Sequence, residues 1–392
     1  MALPRATERE AGLGTLVARM IWRYRRSPTR LFPLFLLILF APACKPSRPQ
    51  PAREANPAKL AAQFRHAMER GGGAQVWVKR AAPAARSQSA SASLEVAATP
   101  PGYSSALAAV IEEAQRDKLD SKLTGGQARG GLRSAVLTIS QGRQTLLEIH
   151  LQEVPRLRRA AIVIDDLGGD LTAARRFLGL GAPLAFSILP HLRYSRATAQ
   201  DAHLAGCEVM LHLPMEPQPG ARVGPGEGAI LVGMSSSALR KTIQLDLESV
   251  PYVAGVNNHM GSRATEDAAL MANVMKLLAE RRLYFIDSRT TARSTALAAA
   301  RSEHLPAFYR AVFLDDTTTV AYTLRQLEEL RRVAEQEGVA LAIGHPHLTT
   351  RTALAEFIPT LDHAGIELVP PSAIVRLPEA ARLEPPAPPG SP

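Results

Sequence analysis

Two aspartates, Asp165 and Asp166, stand side by side at the end of the apolar run Ala160 to Ile164. Adjacent carboxylates repel each other unless a cation neutralises one and leaves the other free as a base, so the pair points to a metal site. A plainer use exists for one of them: Asp166, or Asp170 just beyond it, can cap a helix over residues 170–179. Three histidine motifs argue for the metal. His212, Asn257-Asn258-His259 and His345-Pro346-His347 each follow an apolar run, and neutral imidazoles with one carboxylate form the usual open catalytic site for Zn²⁺ or a similar divalent ion. His345 and His347 can add an acid/base or a further ligand, with the proline between them fixing the local backbone. In Asp287-Ser288-Arg289-Thr290, Arg289 is suited to a substrate oxygen or to an acid partner.

Elements must bring these residues together. From Arg158 onward, short β-branched or apolar runs (Ala160 to Ile164, Leu184 to Leu189, Glu208 to Leu213, Tyr252 to Val256, Leu283 to Ile286, Val339 to Ile343, Ile366 to Val369) alternate with amphipathic stretches such as Asp267 to Arg281 and Val320 to Glu337. Strand-helix alternation of this length predicts a parallel sheet, doubly wound or closed as a barrel. Each polar motif falls just past a predicted strand, and the C-terminal edge of such sheets is where sites are built.

In this order the motifs carry a resemblance. Ile164-Asp165-Asp166, His212-Leu213-Pro214-Met215-Glu216-Pro217, Asn257-Asn258-His259-Met260-Gly261-Ser262, Asp287-Ser288-Arg289-Thr290 and Gly344-His345-Pro346-His347 make the span from about Arg158 to Val375 similar to the divergent polysaccharide deacetylase family, a branch of the NodB-type carbohydrate esterases. The resemblance implies a distorted (β/α) barrel of about seven parallel strands. It also implies Asp165 as general base, Asp166 and His212 as metal ligands and His345 as general acid. The better-known deacetylases place a second histidine four residues after the first, where this chain has Glu216. Either His259 supplies that imidazole or Glu216 coordinates directly. Met260-Gly261-Ser262 stands where those enzymes often carry an arginine that steadies the base, a part open to Arg289. Asn258, Asp287, Arg289, His347 and Glu216 are thus candidates for substrate contact or support of the ligands. The cofactor implied is a divalent ion, zinc first, with nickel or cobalt as options.

The formal charge of +10 suggests nucleic acid until it is divided along the chain. Residues 1–44 carry seven Arg against two Glu, residues 45–155 fifteen Lys/Arg against nine acids, and the remainder nets −1. The excess lies outside the motif-bearing span, which excludes a basic binding face there. Arg23, Arg25, Arg26 and Arg30 precede the apolar run Leu31 to Phe40 and then Ala41-Pro42-Ala43-Cys44. This resembles a bacterial lipoprotein signal, with Cys44 acylated and Ala41 where Leu is usual; Met20 makes a better-proportioned start. An uncleaved signal anchor is the alternative, and either exports the body to the bacterial envelope, periplasmic or extracytoplasmic, held at a membrane.

Residues 45–101, rich in Pro, Ala, Ser and Arg, read as a tether with a short helix at Ala58 to Glu69. Residues 102–155 read as a small α+β module, residues 156–378 as the deacetylase-like domain and residues 379–392 as a Pro-rich tail. Cys207 sits in an apolar run and reads as a buried small hydrophobe. Asp315-Asp316 read as caps of a helix beginning near Thr319, and Glu227 as part of a Gly-rich cover over residues 220–233. Tyr194, Tyr252, Phe308 and Tyr309 are the candidates for stacking on a sugar, most of them better placed as core.

The expected activity is metal-assisted removal of N- or O-linked acetyl groups from a polysaccharide or peptidoglycan-type glycan, with the glycan and the membrane as partners and no nucleic acid. Two alternatives remain: a catalytically silent glycan- or partner-binding protein on the same fold, and a hydrolase of another amide or ester.

Overall fold

The computed structural model describes residues 56–79, 92–125 and 132–375. The leader, Cys44 and the Pro-rich tail lie outside them. Among the described residues no helix is long and apolar enough to cross a membrane.

The N-terminal module is larger than its sequence suggests. Helix α1 (Pro57–Gly72) starts at Asn56, whose side chain accepts the N–H groups of Ala58 and Lys59. It is followed by β1 (Val76–Val78), β2 (Ala92–Ala98), α2 (Pro100–Arg116), β3 (Asp120–Gly125), β4 (Ser134–Gln141) and β5 (Gln144–Glu153). The strands form one sheet in the order β1-β2-β5-β4-β3, with β2 parallel to β5 and the other pairs antiparallel. Leu60, Phe64 and Met68, one helical face at spacing four, join Val76, Leu94, Tyr103, Val110, Leu137 and Ile149 in its core. The tether expected over 45–101 is therefore folded wherever it is described, and the module begins near Asn56 instead of residue 102. The short helix expected at Ala58 to Glu69 is α1, and what the high Pro, Ala and Ser content masked is that it packs into a core.

The second sheet holds β6 (Arg158–Leu167), β7 (Ala185–Ile188), β8 (Glu208–Met215), β9 (Val253–Met260), β10 (Tyr284–Asp287), β11 (Ala307–Tyr309), β12 (Val312–Phe313), β13 (Val339–Gly344) and β14 (Ile366–Leu368). Its order is β11-β10-β9-β8-β7-β6-β13-β12, all parallel, with β14 pairing the first residues of β6 below β7. Helices α3 (Leu171–Leu178), α4 (Ser195–Leu204), α5 (Ser236–Ser249), α6 (Ala268–Glu280), α7 (Ala296–Ser302), α8 (Val320–Glu337), α9 (Leu348–His363) and α10 (Pro371–Val375) complete the domain. This is the expected curled, distorted (β/α) barrel, with eight strands along the sheet instead of about seven because β11 and β12 are only three and two residues long. The seam between them is spanned by the chain itself: Arg310 N–H bonds to Asp287 O of β10, and Ala311 N–H to Leu341 O of β13.

Alternate residues of each strand divide the interior from the helix layer. Ala160, Ile162 and Ile164 join the layer core with Phe186, Leu211, Val274 and Leu330, and half-buried Cys207 packs at its edge. Ala161, Val163, Met210, Tyr284, Ile286, Leu341 and Ile343 fill the inside, closed below by Ile374 and Val375. Gly255 is required there, because a Cβ on it would stand 2.1 Å from the Tyr284 ring.

Candidate functional site

Following the inward positions upward, six strands lead to a polar residue: Asp165 on β6, Ser187 on β7, His212 on β8, Asn257 and His259 on β9, Ser288 after β10 and His345 after β13. The apolar interior thus gives way to a polar rim at the C-terminal edge.

Asp166 breaks the alternation. A strand would send its side chain to the face opposite Asp165, but its φ is +57° and the pairing with β7 shifts between Ile164 and Leu167. This left-handed kink is strained for a residue with a Cβ and turns both carboxylates to the mouth. The helix-cap reading of Asp166 is set aside: Asp170 caps α3 by accepting Thr172 and Ala173 N–H.

Asp166 Oδ1 lies 3.1 Å from His212 Nε2 and 3.0 Å from His259 Nδ1, with 3.1 Å between the two nitrogens. The three form a set able to hold a metal ion. Asp166 Oδ1 is buried without a hydrogen-bond partner, an orphaned acceptor facing two imidazole nitrogens. Two imidazoles and a carboxylate with room for a fourth ligand suit zinc or a related divalent ion. Burial works to raise the Asp166 carboxyl, yet His212 and His259 draw it well below the usual carboxylate range. Burial likewise works to lower His212, while the charges of Asp165 and Asp166 lift it above the ordinary imidazole value. Both shifts describe a pocket that holds positive charge, whether a proton or an ion.

Asn257, fully buried, ties this set to Asp165. Its Nδ2 donates to both oxygens of Asp165, at 2.9 and 3.1 Å. That fixes its Oδ1 as acceptor toward Ser187 Oγ at 2.5 Å and His212 Nδ1 at 3.0 Å. When neutral, His212 therefore carries its proton on Nδ1 and turns the Nε2 lone pair to Asp166 and His259. Asn257 was missed in the sequence, where Asn258 was the asparagine singled out. Asn258 clamps β9 to β10, accepting Ser288 N–H at 2.9 Å and donating to Met260 O at 2.8 Å.

On the other flank His345 Nε2 lies 3.8 Å from Asp166 Oδ2. Its Nδ1 pairs with Asp315 Oδ1 at 2.9 Å. Asp315 is thus no helix cap: Thr319 caps α8 by accepting Tyr322 N–H. Burial acts to lower His345, but Asp315 and the charges of Asp165 and Asp166 push it up to about 9. His347 is exposed at the start of α9 and does not line the cleft.

Three expectations change place. Glu216 accepts Val232 N–H at 2.6 Å and pairs with Arg263, so it anchors the loop after β8 and stands outside the Asp166, His212 and His259 set. Asp287 is buried with its oxygens on Arg289 N–H and Ser294 Oγ, both 2.8 Å, and burial pushes its carboxyl up. Arg289 lies over the Tyr309 ring, 4.6 Å from its centroid, and makes no ion pair to Asp165; Asn257 holds that carboxylate instead. Arg310, unmarked by any sequence motif, shares the cleft wall. The cleft, about 630 Å³, runs from Asp165, Asp166, His212 and His259 past Ser288, Arg289 and Arg310 to Tyr322 and Glu329. The loop holding Glu227 does not line it.

Residues 162–375, more than half of the chain, match the model of the divergent polysaccharide deacetylase family. The chain belongs to that family. It is 34% identical over 196 residues to an uncharacterized protein of Haemophilus influenzae, covering 50% of this chain and 69% of that one. It is also 34% identical over 228 residues to the uncharacterized protein YibQ of Escherichia coli, covering 58% and 70%. The uncharacterized protein ATU2773 of Agrobacterium tumefaciens C58 shares the fold with a TM-score of 0.54 and 26% identity, over 56% of this chain and 89% of that one. This member of the family keeps its motif residues on the rim of the barrel, with His259 beside Asp166 and His212.

Proposed function

We propose that this protein is a divalent-metal-dependent hydrolase that removes N- or O-linked acetyl groups from a polysaccharide or peptidoglycan-type glycan of the bacterial cell envelope. The observation that carries the reading is the orphaned Asp166 Oδ1 facing His212 and His259, with a carboxylate held on one side and an imidazole held on the other. Asp166, His212 and His259 would hold the ion, zinc by preference. Once bound, the ion supplies Lewis-acid polarisation of the acyl carbonyl and of the attacking water. Asp165, fixed by the Asn257 amide, takes the proton from that water. His345, fixed by Asp315, gives a proton to the departing amine or alkoxide. The Arg-rich leader and Cys44 support an exported, membrane-held protein.

Acetate release from acetylated envelope glycans by the full-length protein, stripped of metal and reloaded with zinc, tests this. We expect release that depends on zinc, is lost in Asp165→Asn with zinc still bound, and is lost in Asp166→Ala together with the zinc. Zinc uptake without hydrolysis would favour a silent glycan-binding protein on the same barrel, and failure to take up zinc would remove the metal reading altogether.

A further inference from the structure

Four strands along the sheet from Asp166, the cleft is walled by two arginines without a carboxylate partner. Arg289, with φ +49°, lays its guanidinium 4.6 Å from the Tyr309 ring centroid. Among the described residues that guanidinium makes no hydrogen bond and no ion pair. Arg310 donates from Nε to Ser288 O at 2.7 Å and from Nη2 to Arg289 O at 2.9 Å, and its guanidinium lies 5.0 Å from the Phe313 ring centroid. Its Nη1 has no partner among the described residues. Asp287, the nearest acid in sequence, is spent on Arg289 N–H and Ser294 and does not line the cleft.

A guanidinium held against an aromatic ring and oriented by carbonyls is arranged before any ligand arrives, so little entropy is lost when it binds one. Burial draws Arg310 below its ordinary value, and the neighbouring charge of Arg289 adds to this, while the charges of Asp287 and Asp165, which form no ion pair with it, offset the shift only in part. An anion arriving with the ligand would reverse that penalty. Asp316 and Glu329 also line the cleft and repel an anion, as do Asp165 and Asp166, so the arginines are the part of the lining that attracts a negative group.

We propose that Arg289 and Arg310 form an anion subsite that takes a carboxylate borne by the glycan, beside the acyl group presented to Asp165 and Asp166. The substrate class is then an acidic, carboxylate-bearing acetylated glycan, as opposed to a neutral one. This rests on the deacetylase reading above. The rival role for the pair is to balance the charge of Asp165 and Asp287, which would act on every substrate alike.

Isothermal titration calorimetry on the full-length protein with zinc present separates the two roles. The probes are a peptide-free peptidoglycan tetrasaccharide with lactyl carboxylates, an alternating N-acetylglucosamine–glucuronate tetrasaccharide, and the carboxyl-reduced form of each. We expect at least one acidic probe to bind about tenfold or more tightly than its reduced form, as a charge-assisted forked contact allows; which one does so tells lactyl ether from uronate. Arg289→Gln and Arg310→Gln should each bring the acidic probe down to the level of the reduced one, with zinc stoichiometry kept as the sign of an intact site. Arg289, whose side chain supports no backbone carbonyl, carries the test should Arg310→Gln fail to fold, and Arg289→Lys should keep only part of the preference. Equal binding of acidic and reduced forms, no binding of either acidic probe, or equal weakening of both forms in Arg289→Gln overturns the subsite. Acid-selective binding by a protein that releases no acetate would remove the deacetylase reading and leave the subsite standing.

Discussion

Asp315 grips His345 twice, receiving its ring Nδ1–H at 2.9 Å and its backbone N–H at 2.6 Å, while the Thr350 hydroxyl donates to the same carboxylate at 2.7 Å. The ring cannot turn, and Nε2 stays aimed at the cleft. With His345 pushed up to about 9, it remains protonated at neutral pH, and activity that needs this proton falls as pH rises through about 9. Asp315→Asn preserves shape and removes charge, so the alkaline limb should move toward the ordinary imidazole value of about 6.5. We expect kcat at pH 8 to drop about tenfold or more and kcat at pH 6 to drop far less, measured as a rate profile from pH 5 to 10. A limb that stays in place in the variant would deny Asp315 this role.

Asn257 would act through its neighbours, since it touches Asp165 and His212 and does not line the cleft. Asn257→Ala should weaken zinc about tenfold to a hundredfold, the usual effect of losing a partner behind a histidine ligand, and should lower kcat as well. Competition against a chelator reads the first and acetate release the second. Ser187→Ala removes only one of the two donors to Asn257 Oδ1 and should change both far less. Equal losses in the two variants would mean general loosening of the rim, with no specific coupling through the amide.

Much of this site was legible in the residues because its chemistry is concentrated where strands end. Asp165-Asp166, His212, His259 and His345 each follow an apolar run, and the barrel brings those ends together. What the sequence hid are the partners. Asp315 looked like a cap because it lies just ahead of a helix, yet Thr319 does that work. Asn257 opens its motif beside an identical neighbour, and only its strand register turns it inward between Asp165 and His212. Arg310 sits in a two-residue seam where strands of three and two residues give no periodic signal. The kink at Asp166 depends on a positive φ that no residue type there announces. In the N-terminal module the helix carrying Leu60, Phe64 and Met68 is readable, and its docking onto a sheet is hidden by the composition around it.

The barrel interior leaves no room at Gly255, where a Cβ would lie 2.1 to 2.5 Å from three atoms of the Tyr284 ring. Tyr284 cannot retreat easily, because its hydroxyl donates to Glu208 Oε1 at 2.6 Å, and Ser372 N–H holds the same oxygen at 3.0 Å. Gly255→Ala should therefore destabilise the fold by about 3 kcal/mol, the upper part of the overpacking range. Urea unfolding measures it. Adding Tyr284→Leu should recover part of the loss if the ring is the obstacle; a double variant no better than the sum of two independent losses would place the strain elsewhere.

Asp246 offers a stability test away from the chemistry. It is fully buried on α5, with Oδ1 2.7 Å from His191 Nε2 and Oδ2 lacking any partner, beneath the Gly228 turn. Burial pushes its carboxyl up to about 7, against the pull of His191 and with a further push from Glu227. The unfolded value is about 3.9, so the folded protein prefers the neutral form. That preference contributes stability fully below about pH 4 and loses it as pH rises through about 7, at up to about 1.4 kcal/mol per pH unit. Asn can meet His191 with either an acceptor or a donor and never ionises. Asp246→Asn should thus match or trail the natural protein at pH 5 and exceed it at pH 8, read as urea midpoints at the two pH values. Midpoints that move in parallel for both proteins would mean that Asp246 is ionised in the fold throughout, with His191 as a charged partner.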